Sequence, residues 1–202
     1  MKVALIGASG QAGSRILAEL VRRAHTVTGI ARHPEKIAVG PGVTAKKGDV
    51  FDREGLAALL NGHDVAISAV HFTASDPNIL IEAVRASGFK RYFVVGGAGS
   101  LEVASGVKLI DTPEFPAIYK AEASKGGEFL DLLKQQKDLD WTYLSPSALF
   151  SAGERTGKFR LGKDQLLTNE KGSSISFEDY AIALVDELEK PAHSRQRFTV
   201  GY

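Results

Sequence analysis

The chain has 202 residues, of which 44% are hydrophobic and 24% charged, with a formal net charge of +1 and no cysteine. This length can bury a core without disulfides or metals, and the near-neutral charge gives no reason to expect nucleic acid or an anionic membrane as a partner. The lack of cysteine excludes disulfides, thiolate nucleophiles, iron–sulfur clusters and thiolate zinc sites, and no metal site is predicted. No apolar run is long enough for a signal or membrane-spanning segment, so we expect a cytoplasmic protein that is complete from its first residue.

Short apolar runs alternate with amphipathic stretches almost to the end of the chain. The predicted strands are, in chain order, KVALIG, HTVTGIA, VTAKKGD, DVAISAV, RYFVVGG, LDWTYLS and RFTVGY. Strands that are apolar throughout and alternate with helices indicate a parallel sheet covered on both faces. The pattern predicts a Rossmann-type, doubly wound α/β fold with strand order 3-2-1-4-5-6. We expect one domain over 1–202, in which about 147–202 forms a small lobe on the substrate side.

Three features of the last third of the chain are predicted separately. Ser176 and Asp179 have the spacing of a capping box at the start of the last helix. The basic stretch GERTGKFRLGKDQ is interpreted as a solvated hairpin, and Trp141 as a core residue.

The turn after the first strand, in ALIGASGQAGSRI, contains three glycines at intervals of three residues. Gly7 allows a sharp turn, Gly10 allows the backbone to approach a pyrophosphate, and Gly13 allows the helix to pack closely on the strand. Free N–H groups at the helix start then face the anion, so Ser9, Gln11 and Ala12 are also predicted to bind the cofactor. The alternative is a tight turn that binds nothing. The spacing resembles that of extended and atypical short-chain dehydrogenase/reductases.

The end of the second strand decides between NAD and NADP. An acidic residue there binds the ribose 2′-hydroxyl of NAD, but this chain has Arg32 and no carboxylate until Glu35. An arginine can bind a 2′-phosphate with two parallel hydrogen bonds, so NADP(H) is favoured over NAD(H). The alternative is a solvated surface arginine.

Asp49 and Val50, after the third strand, resemble the Asp–hydrophobic pair with which this superfamily holds adenine. Alternatively, Asp49 caps the following helix, although Asp52 is better placed to do so. The end of the fourth strand, at Ser68, Ala69 and Val70, is expected to pass under the ribose and pyrophosphate. His71 then lies at the rim of the cofactor site as a substrate-binding candidate, or is an ordinary loop residue.

The Ser-Tyr-Lys pattern of carbonyl-reducing short-chain enzymes is not found in the sequence. Lys125 stands at the family's lysine position, but Ala121 precedes it by four residues where a tyrosine is needed. Gly96 and Gly97, predicted to contact the cofactor, replace the family's serine. Tyr119 and Ser100 are therefore the catalytic candidates that the sequence offers, and Tyr119 is also a candidate hydrogen-bond donor in the acceptor pocket.

Several stretches together resemble one bacterial family across nearly the whole chain: GASGQAGSRIL, VVGGAGSL, DTPEFP, DWTYLSPSALF, GERTGKFRLG and QRFTVGY. They are similar to bacterial NAD(P)H-flavin reductases, atypical short-chain proteins related in pattern to flavin/biliverdin reductase and to epimerase/dehydratase-like proteins. The resemblance implies a Rossmann-type fold and a flavin or similar acceptor. Chemistry supports this, because hydride addition to flavin N5 leaves a delocalised anion that water can protonate, without a Tyr-Lys pair.

The acceptor is expected to be a small planar molecule bound after the fifth and sixth strands, with flavin as a substrate rather than a tightly bound cofactor. The residues predicted to line this site, besides His71, are Ala98, Gly99, Ser100, Pro146, Ser147, Ala148, Leu149 and Phe150. Phe150 either stacks on the acceptor or is an aromatic plug.

The leading hypothesis is an NADPH-dependent oxidoreductase that reduces a flavin, quinone or tetrapyrrole. The chief alternative is a redox sensor that binds NADP(H) without turnover, and a nucleotide-sugar epimerase ranks lower. The sequence leaves open whether the chain is a monomer or a homodimer.

Overall fold

The computed structural model describes residues 1–88 and 91–202. Its helices are α1 (Gln11–Arg22), α2 (Arg53–Leu60), α3 (Pro77–Ala86), α4 (Lys120–Lys134) and α5 (Phe177–Glu189). Its strands are β1 (Lys2–Ile6), β2 (Thr26–Ala31), β3 (Val43–Lys47), β4 (Val65–Ser68), β5 (Arg91–Val95), β6 (Glu102–Ala104), β7 (Val107–Lys108), β8 (Asp140–Pro146), β9 (Leu149–Ser151), β10 (Arg160–Gly162), β11 (Ser174–Ser176) and β12 (Gln196–Gly201).

The described residues form one eight-stranded sheet in the order β10-β12-β8-β5-β4-β1-β2-β3, and two small two-stranded sheets. Neighbouring strands of the large sheet are parallel except β10 and β12, which are antiparallel. The predicted doubly wound α/β fold and its strand order are confirmed, with β8 as the sixth strand; β12 and β10 extend the sheet beyond it. The order reverses between β1 and β4, where such sheets bind ligands.

Each face of the sheet buries its own apolar cluster. On one face, α1 and α5 cover the sheet with residues that include Ile16, Leu20 and Leu184. On the other face, α2, α3 and α4 pack against the sheet with residues that include Leu56 and Phe129. This double burial explains why β1 is apolar at consecutive positions rather than alternately. Trp141 is 3% exposed, which confirms its predicted place in the core.

The start of α5 is capped as the sequence predicts, but only in part. The Ser176 hydroxyl oxygen accepts a hydrogen bond from the Asp179 N–H at 2.9 Å. The Asp179 carboxylate does not return to Ser176, so the reciprocal half of the predicted box is wrong. It accepts instead from the N–H groups of Thr156 and Gly157, each at 2.8 Å, and from the Tyr202 hydroxyl at 2.9 Å. A buried carboxylate needs such donors, and these fasten the preceding loop to α5.

The predicted exposure of GERTGKFRLGKDQ to solvent is confirmed, but the predicted hairpin is wrong, because its strand β10 pairs with β12. Arg155 donates two hydrogen bonds of 2.9 Å to Glu19 of α1, and Leu161 in β10 pairs with Val200 in β12. Residues 154–162, called the strap below, therefore contact α1 and α5 and end at the edge of the large sheet. The division of the chain at about residue 147 stays a prediction.

Glu19 connects this strap to α1, although it is almost fully buried. It also accepts a hydrogen bond from Arg23 at 2.9 Å. Burial by itself raises the pKa of a carboxyl group, but the hydrogen bonds and charges of Arg155 and Arg23 outweigh it and lower the pKa of Glu19 below its usual value. The ionised form is therefore the one that stabilises the fold.

We expect the free energy of unfolding to decrease as the pH falls below about 4.5, the usual pKa of this carboxyl group. The folded protein holds the lower pKa, so the unfolded chain takes up the proton first and acid favours unfolding. Glu19→Gln should flatten this pH dependence and cost about 2 kcal/mol at pH 7, because it weakens the charge-assisted hydrogen bonds that Arg155 and Arg23 donate to the buried carboxylate. Denaturant titrations from pH 3 to 7 measure both effects. Glu54→Gln, at an exposed position of α2, is the matched control; an equal flattening in both variants contradicts the assignment.

Candidate site at the glycine turn

The glycine turn between β1 and α1 is closed by contacts that admit no side chain at two of its three glycines. Gly7 has a φ of +82°, and a Cβ there would lie 2.3 Å from the Ala69 carbonyl oxygen. A Cβ at Gly13 would lie 2.1 Å from the Gly7 carbonyl oxygen. The first turn of α1 is therefore pressed against both β1 and the end of β4. The roles that the sequence predicts for Gly7 and Gly13 in shaping the turn are confirmed.

Gly10 is less crowded than the other two, although a side chain there would still make a tight contact with backbone. A Cβ there would meet the Gly7 carbonyl oxygen at 3.3 Å and the Ala69 oxygen at 3.9 Å, with no closer atom. Gly10 is the N-cap of α1, without a capping side chain and with no acidic residue in the first turn.

The N–H groups at the start of α1 are available for an anion. Within the described part of the chain, the N–H groups of Gln11, Ala12 and Gly13 make no hydrogen bond, while that of Ser14 already binds the Gly10 carbonyl oxygen at 2.9 Å. Ser9 and Gln11 lie exposed beside them. Uncapped N–H groups and the positive end of a helix dipole attract phosphate. The N–H groups of Gln11, Ala12 and Gly13, called the phosphate cradle below, fit the pyrophosphate of a dinucleotide.

The predicted adenine and ribose residues follow β2 and β3 at the same edge of the sheet. Arg32 is exposed immediately after β2, and Asp49 is exposed after β3, with Val50 partly buried beside it. The Asp49 carboxylate accepts from the Phe51 N–H at 3.0 Å, whereas Asp52 is the N-cap of α2 and accepts from Gly55. The alternative role of Asp49 as a helix cap is therefore wrong, and its adenine-binding role stays a prediction.

The end of β4 runs beside the glycine turn, as predicted. The Ala69 N–H binds the Ile6 carbonyl oxygen at 2.8 Å, and a Cβ at Gly7 would lie 2.9 Å from Val70 Cγ1. Ser68 is 2% exposed and its hydroxyl oxygen accepts from Tyr92 at 2.9 Å, so its side chain cannot reach a cofactor. Only the backbone of Ser68 remains available for the predicted contact.

The two glycines after β5 are explained by a buried tyrosine of β8. A Cβ at Gly96 would lie 2.3 Å from Tyr143 Cε1, so a serine does not fit there. The Gly97 N–H donates to the Tyr143 hydroxyl oxygen at 3.0 Å, and that hydroxyl donates to the Gly126 carbonyl oxygen at 3.0 Å. Burial raises the pKa of the Tyr143 phenol above its usual value, so the group stays neutral and holds β5, β8 and α4 together.

The two catalytic candidates differ in their hydrogen bonds and exposure. The Ser100 hydroxyl oxygen accepts from Arg197 at 3.2 Å, and Arg197 in turn donates to Asp164 at 2.7 Å. Tyr119 is 61% exposed directly before α4. Lys125 forms an ion pair with Glu128 at 2.7 Å on the same helix. The Ser100 hydroxyl is thus hydrogen-bonded to an arginine of the fold, whereas the exposed side chain of Tyr119 can contact a ligand.

The predicted acceptor residues do not all face one site. Ala98 is partly buried after β5, and Pro146 is buried at the end of β8. Ser147 is fully buried, and its hydroxyl donates to the Val200 carbonyl oxygen at 3.1 Å, so the prediction that its side chain contacts the acceptor is wrong. The ring of Phe150 packs edge-on against Phe177 at 4.5 Å between centroids, and against Tyr180 at 4.7 Å. These contacts favour the role of Phe150 as an aromatic plug, because its ring packs against other aromatic rings and not in a position to stack on an acceptor.

Glu122, on α4, is the residue at this edge that the sequence analysis missed. Its carboxylate accepts from the Phe72 N–H at 2.7 Å, from the Thr73 N–H at 2.9 Å and from the Thr73 hydroxyl at 2.7 Å. It also lies 3.2 Å from His71 Nδ1. Burial raises the pKa of the carboxyl group, but these hydrogen bonds prevail and lower it. No local pattern marks Glu122, because its partners lie about fifty residues away.

Known proteins resemble this chain along its whole length. A family model described as NAD(P)H-binding matches residues 7–191. The Bacillus subtilis (strain 168) protein YwnB is 44% identical, covering 99% of this chain and 98% of that protein. A Bacteroides thetaiotaomicron structure provisionally named an epimerase is 41% identical with a TM-score of 0.94, covering 100% and 96% of the two chains. A Streptococcus pneumoniae structure provisionally named an NADH-flavin reductase is 39% identical with a TM-score of 0.81, covering 100% and 99%. In the described part of this chain, none of the helices combines the length and apolarity needed to cross a membrane.

Alanine substitutions at two of the glycines should separate folding from binding. Gly10→Ala should lower the free energy of unfolding by about 1 kcal/mol, because alanine is a poorer N-cap than glycine and its Cβ would lie 3.3 Å from the Gly7 carbonyl oxygen. It should weaken NADPH binding at least tenfold, because the added methyl group takes up space beside the uncapped N–H groups. Gly13→Ala should destabilise the fold by about 3 kcal/mol, because its Cβ collides with backbone. Denaturant titration and nicotinamide fluorescence measure the two effects. Unchanged NADPH affinity in Gly10→Ala contradicts the proposed place of the pyrophosphate.

Proposed function

The chain belongs to the NAD(P)H-binding family, and from this membership we infer that it is an NADPH-dependent reductase that passes hydride to a flavin-like acceptor. The observation that carries the proposal is the uncapped start of α1 behind the glycine turn. It offers N–H groups without partners in the described part of the chain, a residue without a side chain at Gly10 and no acidic residue in the first turn of the helix. The acceptor class comprises FMN, FAD, quinones and linear tetrapyrroles.

Different residues of the chain would bind the two ends of the cofactor. The N–H groups of Gln11, Ala12 and Gly13 would hold the pyrophosphate, and Asp49 would bind the adenine amine. The bound nicotinamide supplies a hydride, and the protein positions it. Val70 and Gly97, on the loops after β4 and β5, would bound the nicotinamide end, because the sheet reverses its order beside β4.

Two exposed cations support NADPH rather than NADH as the cofactor. Lys47, the last residue of β3, is in register with Ala31, so it ends beside Arg32 at the carboxyl edge of the sheet. A 2′-phosphate placed there would meet both side chains and would form charge-assisted hydrogen bonds with Arg32. The Streptococcus pneumoniae relative carries NADH in its name, so the cofactor preference needs a direct test.

The acceptor side favours a substrate that exchanges over a permanently bound cofactor. Tyr119 and Leu149 are each 61% exposed, and the name of the Streptococcus pneumoniae relative supports a flavin. A delocalised acceptor needs positioning beside the nicotinamide more than it needs a Ser-Tyr-Lys triad. The proposal places the protein in the cytoplasm, where NADPH is available.

One observation favours a second candidate, a sensor that binds NADP(H) without turnover. Lys125 stands where carbonyl-reducing short-chain enzymes have their catalytic lysine, and it forms an ion pair with Glu128. The Ser100 hydroxyl oxygen accepts a hydrogen bond from Arg197. A protein that only reports the ratio of NADPH to NADP⁺ would need the glycine turn and no catalytic groups.

Arg32→Ala should raise the dissociation constant of NADPH about tenfold to a hundredfold and leave that of NADH unchanged. A hydrogen bond to a charged group contributes about 1.5–3 kcal/mol, which corresponds to that range. Fluorescence titration of both cofactors gives the two constants. Lys36→Ala removes an exposed charge four residues away and serves as the control. Equal weakening of NADPH and NADH would contradict recognition of the 2′-phosphate by Arg32.

Turnover separates the reductase from the sensor. Nicotinamide fluorescence is followed as the wild-type protein is titrated with NADPH, and then again after FMN or the quinone menadione is added. Binding followed by loss of fluorescence that depends on acceptor and protein supports the reductase. Tight binding without loss above the background of free FMN favours the sensor. Absence of binding contradicts both functions.

A further inference from the structure

We propose that His71, held in place by Glu122, is the proton donor of this site and that the acceptor is a quinone. The proposal rests on the proposed reductase function and assigns the acceptor class and a catalytic residue. A quinone that accepts hydride is left with a negative charge on oxygen, which requires a proton, whereas a reduced flavin can remain an anion.

His71 occupies the part of the site that a proton donor needs. It follows Val70, which lies against the glycine turn, at the point where the sheet reverses its order. It precedes Phe72, whose ring edge would lie 3.4 Å from a Cβ at Gly97 after β5. The backbone of His71 therefore lies between the glycine turn and the loop after β5, and its side chain extends to Glu122 of α4. It is 85% exposed, so a ligand in the crevice can reach it.

Glu122 gives the ring of His71 a defined orientation. The carboxylate lies 3.2 Å from Nδ1, and within the described part of the chain Nε2 makes no hydrogen bond. Three further hydrogen bonds from Phe72 and Thr73 fix the carboxylate itself. A histidine that donates from Nδ1 to a carboxylate keeps Nε2 for proton transfer, and the ionised carboxylate stabilises the imidazolium form.

The lowered pKa of Glu122 supports this division of roles. Its hydrogen bonds keep the carboxyl group ionised, so it accepts from His71 Nδ1 and is not itself the proton donor. Glu122 is a positioning residue in this scheme, because it acts through His71 and not on the substrate.

NADPH, when bound, would supply a hydride with its two electrons to the quinone and would itself be oxidised to NADP⁺. The proton on His71 Nε2 passes to the negatively charged quinone oxygen and gives the hydroquinone. Solvent, which reaches the exposed ring, returns a proton to His71.

The kinetic test compares two acceptors in the same variants at saturating NADPH. His71→Gln should lower kcat with menadione about a hundredfold, the scale of general acid catalysis, and lower kcat with FMN less than threefold. Glu122→Gln should show a smaller loss of the same kind. The dissociation constant of NADPH, from nicotinamide fluorescence, should stay within threefold in both. His33→Gln is the matched control, because its Nδ1 also lies 3.2 Å from a carboxylate, that of Glu35, in an exposed pair; it should change neither kcat.

A structural readout is independent of turnover. In cofactor-free protein with ¹⁵N-labelled histidine, Glu122→Gln should shift the ring resonances of His71, whereas Glu35→Gln should leave them unchanged. Unshifted His71 resonances in Glu122→Gln would overturn the pairing.

The outcomes distinguish this proposal from the one on which it rests. Equal losses with both acceptors, no loss with menadione, or loss of NADPH binding in His71→Gln would overturn the role of His71. Wild-type turnover with FMN but not with menadione would overturn the quinone assignment and leave the reductase intact. Binding of NADPH without turnover of either acceptor would overturn both proposals.

Discussion

The contact between the first turn of α1 and the end of β1 is the constraint on which the site depends. The Gly7 carbonyl oxygen lies where any side chain at residue 13 would have to be, and the Ala69 carbonyl oxygen excludes one at residue 7. The helix is therefore brought close to the switch point of the sheet with its N–H groups uncovered. A larger residue at either position would push the helix away and remove the cradle.

Contacts between distant residues complete the site around this turn. Tyr143 connects the loop after β5 to α4, and Glu122 connects α4 to the loop after β4. Both groups are satisfied by hydrogen bonds, so they fix the backbone without competing for a ligand. The acceptor side, with Tyr119 exposed at the start of α4, stays open to solvent. This combination of a closely packed glycine turn and an open edge is what the proposed exchange of a substrate requires.

Much of the fold could be predicted from the sequence, because the relevant patterns are local. Apolar runs between amphipathic helices predict a parallel sheet, and the three glycines identify the turn that makes the close contact. The errors concern side chains whose partners are remote. The position of Ser147 and Phe150 after β8 indicates the correct edge of the sheet, but not which way each side chain points. Their partners, such as Val200 and Phe177, could be identified only from the structure.

A crystal structure of the protein with NADP⁺ tests the central claim most directly. The account predicts the pyrophosphate on the N–H groups of Gln11, Ala12 and Gly13, the 2′-phosphate against Arg32, and the nicotinamide beside Val70 with one face open. A dinucleotide bound elsewhere, or one bound at the turn with its nicotinamide directed away from the crevice between β1 and β4, would contradict it.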